Sequence, residues 1–132
     1  MHRSPVDVAP PRQRVAFAGL ALLLLAAFAP AHAQDAAAGG MAFQQCADCH
    51  SGGDNSGVGP GLKGVVGRRA GAQAGFVYSP AMAKSTLTWD AATLDKFLAA
   101  PKDVVPGTTM TYPGDDDAKE RADLIAYLKS LK

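Results

Sequence analysis

The pentapeptide CADCH at residues 46–50 sets two cysteines three positions apart and places a histidine directly after the second. Such side chains can form a disulfide, hold a zinc ion or attach a haem, and the rest of the chain decides between these roles. Its 132 residues suffice for one small domain, and its 13 basic and 12 acidic residues nearly cancel. This balance indicates neither a nucleic-acid-binding protein nor an acidic, solvating tail.

Residues 1–33 have the pattern of a secretory signal peptide. Three arginines precede an apolar run at residues 15–28, Pro30 ends this run, and AHA at residues 31–33 matches a small-residue cleavage site. An uncleaved membrane anchor is the alternative, but the run is shorter than the roughly 20 apolar residues of a spanning helix. We therefore predict cleavage near Ala33, a periplasmic location, no stable membrane insertion afterwards and a single domain at 34–132.

Removal of the predicted signal changes what the pentapeptide can bind. His2 and His32 lie within residues 1–33, so His50 becomes the only histidine, and the remaining 10 basic and 11 acidic residues give a formal charge of −1. A domain of about 100 residues has a marginal apolar core, to which a large buried cofactor would add.

Helical patterns alternate with loops rich in glycine and proline along residues 34–132. We predict a first helix from Asp35 through His50, a short helix after Ser79 and Pro80, and a third that begins at Thr88 or Asp90 and stops at Pro101. Apolar residues at helical spacing mark a last helix, which starts near residues 116–117 and buries Leu124, Ile125, Leu128 and Leu131. The stretch at 101–114 is predicted to be irregular. No segment shows the alternation of a strand, so the fold class is all-α.

Zinc and a redox dithiol are both poor matches for the pentapeptide. A structural zinc site needs four ligands, but only Cys46, Cys49 and His50 are available, and the adjacent pair would fit one tetrahedron badly. A redox dithiol is expected in a strand–helix context, and it leaves the position of His50 without a reason.

Covalent attachment of one haem c uses all three side chains. Cysteines three residues apart on a helical turn place both sulfurs on one side, within reach of the two vinyl groups of a porphyrin. His50 can then offer a nitrogen to the iron, and a methionine is the remaining soft ligand for the opposite face. Met41 shares the helix of the cysteines, and Met82 has the pattern of a core residue. Met110, in the proline-framed loop PGTTMTYPG, is the preferred ligand, with Met82 as the alternative.

Several further stretches, in order, resemble the class I c-type cytochromes close to mitochondrial cytochrome c and bacterial cytochrome c2. The resemblance covers nearly all of residues 34–132 and lies in CADCH, GPGLKGVVGR, GFVYSPAM, LTWDAATLDKFLAAP, PGTTM and RADLIAYL. It implies the cytochrome c fold, in which the N- and C-terminal helices pack together while loops and short helices wrap one covalent haem.

The resemblance also implies roles for individual residues. Gly39 and Phe43 match positions that pack on the C-terminal helix at Leu124 and Tyr127. Pro60 matches the proline whose carbonyl accepts a hydrogen bond from the axial histidine. The residues expected to surround and hydrogen-bond the haem propionates are Arg68, Tyr78, Trp89 and Thr108. The residues expected to line the haem pocket are Leu62, Leu98 and Tyr112.

The surface departs from the mitochondrial pattern, in which lysines surround the exposed haem edge. Gln45 and Thr109 stand at such positions, and three aspartates at 115–117 follow the methionine loop, while Lys63, Lys84 and Lys102 remain. The aspartates are expected to cap the last helix, while a changed docking face is the alternative.

Taken together, these features predict a soluble, monomeric, exported one-electron carrier that is not an enzyme. Its iron would cycle between Fe(II) and Fe(III) with His50 and Met110 both bound, and its partners would be redox proteins, the donor and the acceptor, with no nucleic acid involved. The alternatives are a cytochrome subunit of a periplasmic dehydrogenase or oxidase, and a haem sensor or peroxidase-like protein with a labile Met110.

Overall fold

Six helices and no strand occur in residues 33–132, the part of the chain that the computed structural model describes. The helices are α1 (Ala36–Ala42), α2 (Gln44–Ala47), α3 (Pro80–Lys84), α4 (Ala91–Ala99), α5 (Pro101–Val104) and α6 (Ala118–Ser130). The prediction of an all-α fold is thereby confirmed. The predicted signal peptide lies outside the described residues. Within them, no helix has both the length and the apolar character needed to cross a bilayer.

Side-chain caps fix where the helices begin. The Asp35 carboxylate accepts hydrogen bonds from the N–H groups of Ala37 and Ala38 and so starts α1. The Ser79 hydroxyl, the Asp90 carboxylate and the Asp117 carboxylate do the same at the starts of α3, α4 and α6. Each satisfies N–H groups that have no partner within the helix. At least Asp117 of the aspartate run is therefore a helix cap, as expected.

Two sequence-based boundaries were wrong. The predicted helix from Asp35 to His50 is divided at Phe43 and ends at Ala47, and a tighter hydrogen bond from the Cys46 N–H to the Phe43 carbonyl spans the division. The stretch predicted to be irregular contains α5, which starts at Pro101. A proline fits the first position of a helix because its missing N–H would have no helical partner there, so Pro101 both ends α4 and begins α5.

The crossing of α1 over α6 holds the two ends of the domain together, as the resemblance implied. A Cβ built on Gly39 would lie 2.0 Å from the Asp123 carbonyl oxygen and 2.9 Å from the Tyr127 Cβ, so only glycine permits this approach. The Phe43 and Tyr127 rings pack beside it with centroids 5.1 Å apart. Leu124, Ile125 and Leu128 are buried as predicted, whereas Leu131 caps the end of the helix and is only partly buried.

A buried carboxylate fastens the start of α1 to the same helix. Asp123 is 5% exposed, and it accepts hydrogen bonds from the Lys119 Nζ at 2.6 Å and from the Asp35 N–H at 2.9 Å. The bond from Lys119, and then the bond from Asp35, lower the pKa of Asp123 below its usual range. The ionised form is the one that stabilises the fold.

The hydrogen bond from the Asp35 N–H to the Asp123 carboxylate, which we call the Asp35–Asp123 clamp, predicts that the free energy of unfolding falls in acid. Since the folded-state pKa is depressed, the contribution of Asp123 is present above its unfolded pKa of about 3.9 and disappears as the pH falls through the lowered value. We expect the gap in urea midpoint between the native protein and Asp123→Asn to be constant near neutrality and to shrink below about pH 4. A gap that stays constant down to about pH 2 would contradict the role of the ionised carboxylate.

Candidate functional site

A cavity of about 420 Å³ lies where the loops meet α2, α4 and α6. Its lining is mainly apolar, and buried side chains such as Leu94, Phe97 and Leu128 form its floor. All twelve residues that the sequence nominated for a cofactor site line this one cavity. They are Cys46, Cys49, His50, Pro60, Leu62, Arg68, Tyr78, Trp89, Leu98, Thr108, Met110 and Tyr112. The cavity volume is in the range of pockets that bury a sizeable organic ligand.

Cys46 and Cys49 stand, partly buried, in the cavity wall. Burial, and then repulsion from Cys49, raise the pKa of the Cys46 thiol. A redox dithiol depends instead on a lowered thiol pKa, because the thiolate is its nucleophile. Among residues 33–132 no cluster of three or more His, Cys, Asp or Glu side chains could hold a metal ion. The raised pKa of the Cys46 thiol disfavours the dithiol alternative.

His50 is oriented by the loop that follows it. Its Nδ1 lies 2.8 Å from the Pro60 carbonyl oxygen, and the Gly59 N–H donates to the Cys49 carbonyl and draws that loop back against the pentapeptide. A carbonyl oxygen can only accept, so Nδ1 must carry the proton. In the neutral imidazole the lone pair is then on Nε2, the tautomer that a metal ligand requires.

Gly59 is a site residue that sequence reasoning missed. A Cβ at this position would lie 2.3 Å from the His50 Cε1 and 2.6 Å from its Nδ1, so the imidazole rests directly against the glycine backbone. The motif GPGLKGVVGR begins at Gly59, but it does not reveal the contact, because the ring that covers the glycine is nine residues away in sequence.

Two methionines line the cavity, and Met41 does not. Met41 is 72% exposed on α1. Met110 lies in the loop after α5, where its N–H donates to the Thr108 hydroxyl at 3.3 Å and the Thr108 N–H donates to the Val105 carbonyl at 3.0 Å. These bonds set the course of the loop at Met110. Met82, on α3, is buried and also reaches the cavity.

Polar groups are gathered on one part of the wall. The Arg68 guanidinium donates to the Gly61 carbonyl at 2.9 Å and to the Lys63 carbonyl at 3.0 Å, and it also contacts Gln73. In the described part of the chain no carboxylate pairs with it. The Tyr78 hydroxyl accepts from the Gln73 N–H at 3.2 Å and keeps its own proton to donate. A positive charge without an internal counter-charge suits an anionic group of a ligand.

Tyr112 offers a further hydroxyl to the cavity. Burial, and then the negative charge of Asp115, raise the pKa of Tyr112 to about 12. Its phenol therefore stays protonated, and able to donate a hydrogen bond, well beyond neutral pH.

The comparison with known proteins agrees with this geometry, since the family model for cytochrome c matches residues 36–132. The chain belongs to the cytochrome c family. It is 48% identical to cytochrome c2 of Rhodomicrobium vannielii over 118 residues, a match that covers 87% of this chain and 92% of the relative. Cytochrome c2 iso-2 of Magnetospirillum fulvum is 54% identical over 92 residues, with 68% and 95% covered. The structure of cytochrome cH from Methylobacterium extorquens superposes with a TM-score of 0.70 at 54% identity and covers 73% of this chain and 98% of that one.

Membership of the class I c-type cytochromes confirms the predicted cofactor, one covalently attached haem c. Cys46 and Cys49 are the only cysteines of the chain, so they are its attachment points. The residues present fit this group: an apolar cavity of about 420 Å³ has both thiols and an imidazole in its wall, and an unpaired guanidinium beside them. The roles of the other lining residues stay predictions.

Gly59→Ala tests the packing of His50 in this cytochrome. The new methyl group would overlap the His50 ring, so the ring must leave the Pro60 carbonyl. We expect the haem to stay attached, the visible spectrum to change, and the free energy of unfolding to fall by about 2 kcal/mol or more. Gly53→Ala is the matched control in the same loop, because its Cβ would lie 3.9 Å from the Ser51 hydroxyl oxygen and meet nothing else. Equal stability and spectra in the two variants would contradict the predicted contact.

Proposed function

We propose that this c-type cytochrome, an electron carrier by family, moves single electrons between redox proteins of the periplasm with His50 and Met110 as the two axial ligands. When bound, the haem supplies reversible one-electron exchange between Fe(II) and Fe(III). The observation that carries the proposal is the His50 Nδ1–Pro60 contact of 2.8 Å. It leaves the Nε2 lone pair in a cavity whose wall also contains a methionine.

Met110 is the proposed second ligand because its loop is held by hydrogen bonds to Thr108 and from Thr108 to Val105. A thioether on a constrained loop can be presented in one position with little loss of entropy on binding. Met82 is packed in the core and its backbone N–H starts α3, so we assign it a packing role. Ligands on both faces would leave no open position for a substrate, which favours electron transfer over catalysis.

The two methionines can be separated by one pair of variants. Met110→Ala is expected to abolish the weak red absorption band that a methionine sulfur gives to oxidised haem iron, and to lower the reduction potential, because methionine ligation raises it. Met82→Ala is expected to keep the band and to lose about 2–5 kcal/mol of stability through a core cavity. Loss of the band in Met82→Ala, with its retention in Met110→Ala, would reverse the assignment. Absence of the band from the native protein would favour a labile ligand and a sensor or peroxidase-like role.

The polar wall is proposed to hold the two haem propionates. Arg68 supplies the positive charge, and the Tyr78 and Thr108 hydroxyls and the Trp89 indole N–H supply hydrogen-bond donors. Trp89 is 7% exposed and packs on Phe97 with centroids 4.8 Å apart, so its indole is fixed in place. These groups would offset the cost of placing carboxylates beside an apolar cavity.

Export and processing belong to the same proposal. The sequence pattern at residues 1–33 supports cleavage near Ala33, and covalent haem would then reside in a protein that starts near Gln34. A mass measurement on protein isolated from the periplasm tests both points. The expected mass is that of residues 34–132 plus one haem, while the full-length mass would contradict cleavage.

A further inference from the structure

The mouth of the haem cavity has no charged side chain among its exposed residues. Five lining residues are exposed, and together they form what we call the rim: Gln45, Val58, Thr109, Thr111 and Pro113. All five are uncharged, and Val58 leaves 80% of its surface in solvent. An exposed large hydrophobic residue within an uncharged surface is a common feature of the centre of a protein–protein interface.

Arg68, which lines the cavity, and Lys63, which follows the lining residue Leu62, are both engaged within the protein. Arg68 is the only charged residue of the cavity lining, and it is partly buried and donates to the carbonyls of Gly61 and Lys63. The Lys63 ammonium pairs with the Asp54 carboxylate at 2.9 Å. The five rim residues themselves carry no charge that could attract or orient an ionic partner.

We propose that the rim docks a redox protein whose own cofactor is surrounded by an uncharged, partly apolar surface. The proposal rests on the proposed electron-carrier function and names the class of partner. A partner that placed charged side chains on Val58 would strip their water without providing counter-charges, which is unfavourable. An uncharged partner buries Val58 without that loss. Its association lacks electrostatic steering and is therefore nearly independent of salt.

A second copy of this chain presents such a rim, so electron self-exchange is a direct test. The rate constant between the oxidised and reduced holoprotein can be measured by magnetisation-transfer NMR from about 0.01 M to about 1 M salt, over which the Debye length falls from about 30 Å to about 3 Å. We expect the rate constant to vary by less than about twofold. A steep rise with salt would show that like charges meet, and a steep fall would show that complementary charged patches dock. Either result overturns the proposal.

Variants of the rim locate the contact. Val58→Lys combined with Thr109→Lys is expected to slow self-exchange by about tenfold or more at low salt, with recovery at high salt, because two like-charged rims must approach. Thr109→Lys alone is expected to slow self-exchange at low salt by a smaller factor. This single variant replaces the double variant in the test if the double variant folds poorly. The control, Thr86→Lys combined with Ala92→Lys, adds the same charge at exposed positions outside the lining. Equal behaviour of the rim and control variants would overturn the proposal.

The two proposals fail in different ways. Each protein is first examined for covalent haem, reversible reduction and the red band of the methionine ligand. If these signatures are absent from the native protein, the proposed function fails, whatever the salt dependence of self-exchange. If they are present and self-exchange depends steeply on salt, only the uncharged docking surface fails.

Discussion

Replacement of both Cys46 and Cys49 by alanine is expected to yield a chain that contains no covalent haem and does not fold. The cavity that the haem would fill measures about 420 Å³. At about 24 cal/mol per Å³ an empty cavity of that size costs on the order of 10 kcal/mol. The whole stability of a small domain is about 5–15 kcal/mol, so the apoprotein has little or no stability left.

The experiment compares the native protein with the double variant and both single variants, all expressed with the haem-attachment machinery. Mass spectrometry under denaturing conditions is expected to show haem on the native protein, on Cys46→Ala and on Cys49→Ala, since one thioether bond suffices to retain it. The double variant is expected to lack both the haem mass and the helical circular dichroism of the native protein. A double variant that melts cooperatively at the native temperature would show that the apolar lining closes on itself without the cofactor.

Gly39→Ala is expected to cause a loss of stability as large as that of any single substitution in this domain. The added methyl group would meet the Asp123 carbonyl oxygen at 2.0 Å, and that atom belongs to the backbone of α6. Neither helix can yield locally, so the two must separate, and the separation loosens Phe43 on Tyr127 and the Asp35–Asp123 clamp. We expect the free energy of unfolding to fall by about 3 kcal/mol or more.

The next residue provides the control. A Cβ on Gly40 would lie 3.4 Å from the Tyr127 ring, an ordinary contact distance. Alanine is favoured over glycine inside a helix by about 0.5–1 kcal/mol, so Gly40→Ala is expected to be neutral or slightly stabilising. Urea unfolding of the two holoproteins gives both values. A Gly40→Ala variant as unstable as Gly39→Ala would mean that α1 rejects any Cβ, not that the crossing requires Gly39 in particular.

Capping residues predicted the helix starts of this fold better than apolar periodicity predicted the helix bounds. Asp35, Ser79, Asp90 and Asp117 each begin a helix where a capping residue was expected, because a cap depends only on the next three residues. The break at Phe43 and the extra helix α5 were missed. Pro101 was interpreted only as the end of α4, although a proline also fits the first position of a helix.

The residues of the candidate site also divide into those that the sequence identified and those that only the structure revealed. Cys46, Cys49 and His50 are contiguous, so their shared purpose could be read from their spacing, and the resemblance supplied the other nine lining residues. Gly59 and Val58 were not nominated. Gly59 matters because the His50 ring rests on it, and Val58 matters because it is exposed at the mouth of the cavity. Neither the contact nor the exposure can be inferred from the sequence alone.

The sequence by itself determined the cofactor of this protein and the residues that attach it. A chain with two cysteines and a CADCH motif, in which His50 is the only histidine outside the predicted signal, is suited to covalent haem and to few other cofactors, because ligand chemistry and covalent reach are local properties. Only the tertiary structure decided which nitrogen of His50 is free, which glycine its ring requires, and that the mouth of the cavity is uncharged. These properties arise from contacts between residues far apart in the chain, and distances across the fold are set only when α1 packs on α6 and the loops enclose the cavity.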